Sequence, residues 1–495
     1  MKKSKSLTII TIVTIVIIIS SYFIINFNIG NDKFKNIKFL SKDQKTIIKK
    51  YLFPYKFIAQ QSQEISRQQY KLSMQEEIIS EQKVANLKAE LFEAQIDSDI
   101  AIEETVISLS NNLTLKKYLL KTGFYAGINQ YSPGSGHISF YENNLVIISS
   151  RGMLAYKEIN TGDNVNFKKI KNNINNYIGL SQFEKGRNFS LKDLFIFKNK
   201  IFISYTEEIK KDCWNISVIY GDINYENIKF TKLFSPKNCV HSKDNIDKEF
   251  SGGQSGGRIV SFDDNHILLS VGDFVSRHLA QNKSSVNGKI IKININNSDY
   301  KLISMGHRNP QGLLFDKENN FLLETEHGPR GGDEINLIDL NDINQDKIPN
   351  YGWAISSYGE HYGEEQGWSE KVKLNQNLLN ENKLYRRAPL YKSHKDYGFI
   401  EPIRYFTPSI GITEILKVNN SSDQDHKLLV ASMGYDKEED DMTLHILKFD
   451  KYFKETKYEK IYIGERIRDI IDLDNGSILM TIESSGSIAL LSNIY

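Results

Sequence analysis

The chain has 495 residues, 40% of them hydrophobic and 11% aromatic, with a formal net charge of +2. That composition supplies a substantial core and excludes global disorder. Ten Lys and two Asp give the first 50 residues +8 and leave −6 for the remainder, which argues against a general nucleic-acid surface.

The N-terminus sets Lys2, Lys3 and Lys5 before an uncharged run, residues 7–27, of about the length that crosses a hydrocarbon core. Residues 1–30 are predicted to be an uncleaved membrane anchor, with a cleaved signal peptide as the rival reading, since no A-x-A-like site follows. Residues 31–55 form a basic linker. Its seven Lys, against three before the anchor, would keep the bulk of the chain cytoplasmic by the positive-inside rule.

Residues 56–108 are predicted to be a helical stalk: the stretch lacks Gly and Pro, and Ile58, Ile65, Leu72 and Ile79 recur every seven residues. The positions that should complete a heptad seam are Gln61, Gln68, Gln75 and Gln82. The segment therefore reads either as a self-associating stalk or as one amphipathic helix packed on a neighbour.

From about residue 130 the texture is that of strands and turns. A unit of apolar strand, polar turn and second apolar strand recurs six times, beginning at Ile138, Leu194, Ile259, Leu313, Ile412 and Ile470. The starts lie 56, 65, 54, 99 and 58 residues apart, and the long interval holds an insertion around Tyr351–Tyr397. This recurrence predicts an all-β fold, a six-bladed β-propeller of four-stranded antiparallel blades over residues 130–495. A pair of β-sandwiches with coincidental hairpins is the alternative. Only two cysteines occur, Cys213 and Cys239, and sequence alone leaves them paired or free.

Chemistry concentrates around the fourth unit. "GHRNPQG" precedes it and "TEHGPRGGDE" follows its second strand, so both segments fall at one end of the same hairpin. Arg308 offers a fork of donors for a carboxylate, Asn309 an amide, and Gly328–Pro329 consecutive backbone carbonyls for a hard cation. An ion pair of Arg308 with Glu326 or Asp333, with the glycines merely making turns, explains the same residues structurally.

"GHRNPQGLLFD", "TEHGPRGGDEINLI" and "NYGW" (350–353), in that order, closely resemble the glucose/sorbosone dehydrogenase family, six-bladed propellers that include pyrroloquinoline-quinone-dependent glucose and aldose sugar dehydrogenases. "YGFIEPIRYFTPSIG" and "ERIRDI" further along are similar to family segments too. The resemblance implies that Arg308 and Asn309 hold the quinone (PQQ), that Arg466 and Arg468 grip its carboxylates, and that Gly328 and Pro329 bind Ca2+, with Glu334 and Tyr351 matching further calcium ligands. It implies a sugar as substrate and hydride transfer to the quinone.

The family's proton-accepting histidine stands four residues before an Arg. In "GGQSGGRI" that position is Gln254, or Gly253 if the alignment shifts by one. A glutamine amide accepts no proton near neutral pH, and a general base is worth about 10²–10⁴ in rate. Gly434 stands where the family has a cofactor-binding Lys, and "KGRNFSLKDL" shows no counterpart of a cofactor-binding Gln. Asp273 and His307 are the nearest substitutes for the base. Two readings follow: a sugar dehydrogenase with an impaired base, or a non-catalytic, calcium-supported propeller that binds a sugar or a protein partner. The resemblance also implies a periplasmic propeller tethered to the inner membrane, against the lysine count.

Overall fold

The computed structural model describes most of residues 101–495; stretches 110–112, 121–135, 159–166, 360–389, 419–424 and 435–441, several shorter ones, and all but five positions of residues 1–100 lie outside the description. The anchor, the basic linker and most of the stalk therefore lie outside the described residues. Thr14, Ile65, Gln68, Gln69 and Leu72 are helical, and no helix among the described residues is long and apolar enough to cross a membrane.

The second of two compact units, Lys88–Tyr495, holds six antiparallel sheets arranged as blades. Their innermost strands are Gly136–Tyr141, Leu191–Phe197, Gly256–Asp263, Pro310–Asp316, Ile412–Val418 and Ile467–Asp472, for blades 1 to 6 in turn. Each contacts its two neighbours, closing a ring. Every one of the six repeat starts falls on an innermost strand, and each repeat is the hairpin of first and second strands. Alternating side chains make both faces of such a strand pack against adjacent blades. Six buried apolar clusters result, one per seam between blades.

Two strands fall outside the predicted propeller boundary at residue 130. Thr114–Leu120 pairs with Ser487–Ser492, the third strand of blade 6, and Ala101–Ser108 pairs with Thr114–Leu120 in turn. The last eight residues of the predicted stalk are thus strand, not helix. Ile102, Thr105, Val106 and Ile107 are β-branched, and an edge that offers ladder hydrogen bonds decides in favour of their strand preference. The N-terminal pair covers the edge that blade 6 would otherwise expose.

The insertion lies where the spacing placed it, between the third strand of blade 4, Asp333–Asp339, and the outermost, Arg404–Phe406. Cys213 and Cys239 form a disulfide. It ties the start of blade 2's third strand, Cys213–Asp222, to a segment whose Val240–His241 pairs with the same strand.

Candidate functional site

Where the inner strands begin, their side chains meet around one arginine. Arg258, on blade 3, places Nη1 2.8 Å from Asp193 of blade 2 and 2.9 Å from Asp469 of blade 6, and Nε 2.6 Å from Glu414 of blade 5. Nε also donates to the Gln311 carbonyl of blade 4 at 3.0 Å. Asp469 accepts the backbone amide of Ile138 from blade 1 at 2.9 Å. Burial raises Glu414 to about 8 and Asp193 to about 6, although Arg258 opposes both shifts.

The strand carrying Arg258 starts with Gly256 and Gly257, both at positive φ. A Cβ on Gly257 would lie 2.3 Å from the Cβ of Lys192, so only glycine lets blades 2 and 3 approach here. Lys192 donates to the Asn188 carbonyl at 2.8 Å, and the Asn188 amide in turn packs against Gly253. Burial, assisted by Arg468 and opposed by Glu483, lowers the Lys192 ammonium to about 7. Its only signal in the sequence is a lone lysine inside the strand "LKDLFIF".

Just above this hub lie the segments singled out in the sequence. Gln254's carbonyl accepts the Phe274 amide at 2.8 Å, Asp273's amide donates to the Arg308 carbonyl at 3.0 Å, and Asn309 Oδ1 accepts the Gly256 amide at 3.1 Å. Gln254 and the Arg308–Asn309 pair are therefore laced together through two loops. Gln254 Oε1 is buried with no hydrogen-bond partner.

Arg308 donates to the His327 carbonyl at 3.0 Å and lies 5.4 Å over the Trp353 ring. It lines one narrow pocket with Gly328, Pro329, Glu334 and Tyr351, so all four predicted metal residues gather beside it. Within that group Glu334 pairs with His394 at 2.9 Å, the Tyr351 hydroxyl donates to the Leu337 carbonyl at 2.7 Å, and the Pro329 carbonyl accepts Ser409 Oγ at 3.1 Å. Burial opposes the charge on His394, but Glu334 outweighs it and the net shift is upward.

The remaining predicted cofactor residues continue the same wall. Gln311 donates to Asn309 Oδ1 at 2.9 Å, and Arg468 reaches Gln311 Oε1 at 3.5 Å and Glu483 at 3.0 and 3.1 Å. Arg466 meets Glu483 at 3.1 Å and donates to the carbonyl of Gly434, where a lysine was expected. Burial lowers Glu334's neighbour across the pocket, His327, to about 4; Asp333 opposes this, and Arg308, Arg468 and Arg466 add to it. Burial and the three guanidinium groups thus favour the neutral imidazole.

Of the two substitute bases, His307 is fully buried, turned toward Glu324 and Glu326 and stacked on Tyr351, so it stands behind the pocket wall that Glu326 and Tyr351 form. Asp273 is also buried; its carboxylate takes the Trp353 indole N–H and the Val275 amide, each at 2.7 Å. Neither side chain lines the pocket itself. Trp353 and His394, both from the insertion, complete the site, and no motif in the sequence marks either side chain as functional.

Six closed blades, with Arg308, Arg466 and Arg468 at one mouth of the ring, define the class: a six-bladed β-propeller of four-stranded antiparallel blades. The Glucose / Sorbosone dehydrogenase family matches residues 187–379. An uncharacterized protein of Synechocystis is 27% identical over 49% of this chain and 57% of its own length. Aldose sugar dehydrogenase YliI of Escherichia coli is 24% identical over 60% of this chain and 74% of its own length. Quinoprotein glucose dehydrogenase B of Acinetobacter calcoaceticus is 38% identical over 15% and 17%, respectively. A crystal structure of glucose dehydrogenase shares the fold, with a TM-score of 0.54 and 19% identity over 72% of this chain and 95% of its own. The chain is a glucose/sorbosone dehydrogenase-like propeller.

Proposed function

We propose that the channel mouth binds an anionic quinone and a sugar, and that Gln254 replaces the imidazole that would take the sugar's hydroxyl proton. The observation that carries this reading is that Arg308, Arg466 and Arg468 all act on His327, with Arg468 linked through Gln311 to Asn309, while the loop tied to Arg308 and Asn309 holds a buried Gln254 Oε1 that has no donor. An orphaned acceptor of this kind is costly unless a ligand supplies the missing hydrogen, and a sugar hydroxyl does so.

The residues fit PQQ in outline. Arg466 and Arg468 would hold carboxylates, each as a planar fork already steered by Glu483. Arg308 and Asn309 would hold the ring system. Ca2+ would rest on the carbonyls of Gly328 and Pro329, the latter keeping a second lone pair beside its bond from Ser409, whereas Glu334 and Tyr351 are engaged with His394 and Leu337. Bound there, a calcium-polarised quinone supplies the hydride acceptor. Gln254 then orients a substrate hydroxyl without deprotonating it, and Lys192 is the basic group in this wall whose proton comes off near neutral pH.

A non-catalytic pocket for a sugar or a protein partner is the second reading, favoured by Gln254 and Gly434 together. Calorimetry with Ca2+ and PQQ, followed by dye reduction over a panel of aldoses, separates the two. The expected outcome is calcium-dependent PQQ binding with turnover at least 100-fold below that of Gln254→His, any residual rate being lost in Lys192→Met. Failure to bind PQQ sinks the quinone reading, and full activity in the unchanged chain sinks the impaired base.

The same reading places the propeller in the periplasm behind a membrane anchor at residues 7–27, an arrangement that the Cys213–Cys239 bridge suits. A reporter active only after export, fused after Tyr495, tests it; a silent reporter puts the propeller inside.

A further inference from the structure

The face of blade 4 that packs on blade 3 changes character along its length. Leu322 lies opposite Ile338 and both join the apolar seam. Two residues further on, Glu324 lies opposite Asn336, and beyond that pair Glu326 lies opposite Glu334. All four polar side chains are buried. Because successive side chains alternate between faces, Glu324 and Glu326 on the strand Phe321–Glu326 point the same way.

His307 enters this array from the blade 3 side. Its Nε2 lies 2.8 Å from Ser304 Oγ, and its Nδ1 lies 3.6 Å from Glu324 Oε2 and 3.6 Å from Glu326 Oε1. Three atoms here have no hydrogen-bond partner: His307 Nδ1, Glu324 Oε1 and Asn336 Oδ1, all on side chains with no solvent exposure. The Asn336 amide nitrogen meanwhile donates to Glu324 at 3.1 Å and Glu326 at 3.2 Å, holding both carboxylates toward the imidazole. Glu334 has His394 as its counter-ion. No lysine or arginine among the described residues pairs with Glu324 or Glu326. Two carboxylates side by side in dry surroundings do not both stay ionised unless a cation joins them.

We propose that His307, Glu324 and Glu326 form a buried site for one divalent first-row metal ion, Zn2+ or Mn2+, distinct from the cation expected at Gly328 and Pro329. The candidate ligand atoms lie within 4.8 Å of one another, a spacing that one ion bridges. One nitrogen and two carboxylate oxygens suit these metals better than Ca2+, which gathers six to eight oxygens. Ser304 Oγ is placed to accept an N–H from Nε2, the tautomer that leaves the Nδ1 lone pair facing inward, and Asn336 is the outer partner that aims the carboxylates. The ion neutralises both glutamates. It also braces the pocket, since the other oxygen of Glu326 accepts the Arg308 backbone amide at 2.5 Å. The site is closed to solvent, so its role is structural. None of this depends on the quinone reading.

The test uses the full chain, stripped with a chelator and titrated separately with Zn2+, Mn2+ and Ca2+ by calorimetry, with metal content measured before stripping. One equivalent of Zn2+ or Mn2+ should bind, at least 100-fold more weakly in the isosteric Glu324→Gln, while Ca2+ binding elsewhere is unchanged. The Mn2+ form should show nitrogen hyperfine coupling by electron paramagnetic resonance, lost in His307→Gln. Should either variant fail to fold, chelation of the unchanged chain must lower its melting temperature and Zn2+ or Mn2+ must restore it. Three results overturn the proposal: no stoichiometric binding or restoration, binding indifferent to Glu324→Gln, or a protonated Glu324 carbonyl band in the infrared that persists when metal is present.

Discussion

Arg258 is the residue on which most of the inner wall depends, because its guanidinium is the counter-ion for carboxylates from three other blades. Removing one partner from a buried charge network costs about 3–5 kcal/mol, since the groups left behind are desolvated and uncompensated. The cost should depend on pH. A buried carboxyl whose folded pKa lies above its unfolded value favours folding below the unfolded value, and that advantage is lost as pH rises through the folded value. Glu414 and Asp193 are already raised to about 8 and 6 with Arg258 present. Without it they rise further, so at pH 5 both are neutral and tolerable, whereas at pH 8 the folded state must either hold protons against the solvent or carry bare charges. Arg258→Met should therefore destabilise by about 3–5 kcal/mol at pH 8 and by clearly less at pH 5. Urea denaturation at the two pH values measures this. An equal deficit at both would mean that Arg258 acts through packing alone.

Among the elements, what the sequence made legible follows from what each strand buries. The inner hairpins are apolar on both faces and punctuated by Asn, Asp and Gly turns, so all six announced themselves. The outer strands escaped: Glu455–Tyr462 is largely exposed, and Lys168–Lys169 is two residues long. The polar segments around Arg308 and Pro329 were legible because Gly, Pro and Arg crowd there for reasons of backbone geometry and charge. Glu324, Asn336 and Lys192 were not, because a charged residue in a strand ordinarily faces water and only the neighbouring blade shows otherwise. The disulfide of blade 2 belongs to this scale as well. It closes a loop spanning 26 positions and restrains the unfolded chain accordingly, an effect of about 3–4 kcal/mol in the chain-entropy treatment. Cys213→Ser with Cys239→Ser should lower stability by roughly that amount and make the unchanged protein, treated with reductant, behave like the variant. A melting temperature indifferent to both changes would show that the packing of Phe189 on Trp214, 3.6 Å apart, already holds this edge.

For the whole molecule, the ring is fastened by strands from its two ends. Blade 6 takes its first three strands from the C-terminus and its fourth, Thr114–Leu120, from the region before blade 1, so the chain cannot complete its last sheet until both ends are in place. Lys117 sits mid-strand with ladder partners on both sides, Ala489 and Thr105. A proline there removes a ladder donor and forces φ in a strand that has no edge to spare, at a cost of about 3 kcal/mol or more. Lys117→Pro should therefore unfold the propeller at lower denaturant as one cooperative transition, because the seams on either side of blade 6 share Leu115 and Leu120 with the closing strand. It should also associate at concentrations where the unchanged chain does not, since Ser487–Ser492 becomes an exposed edge. Lys117→Thr, which keeps the donor and a strand-favouring side chain, is the control. If the proline variant melted with the control and stayed monomeric by analytical ultracentrifugation, the N-terminal strand would be an ornament, and the ring would be closed by its inner strands alone.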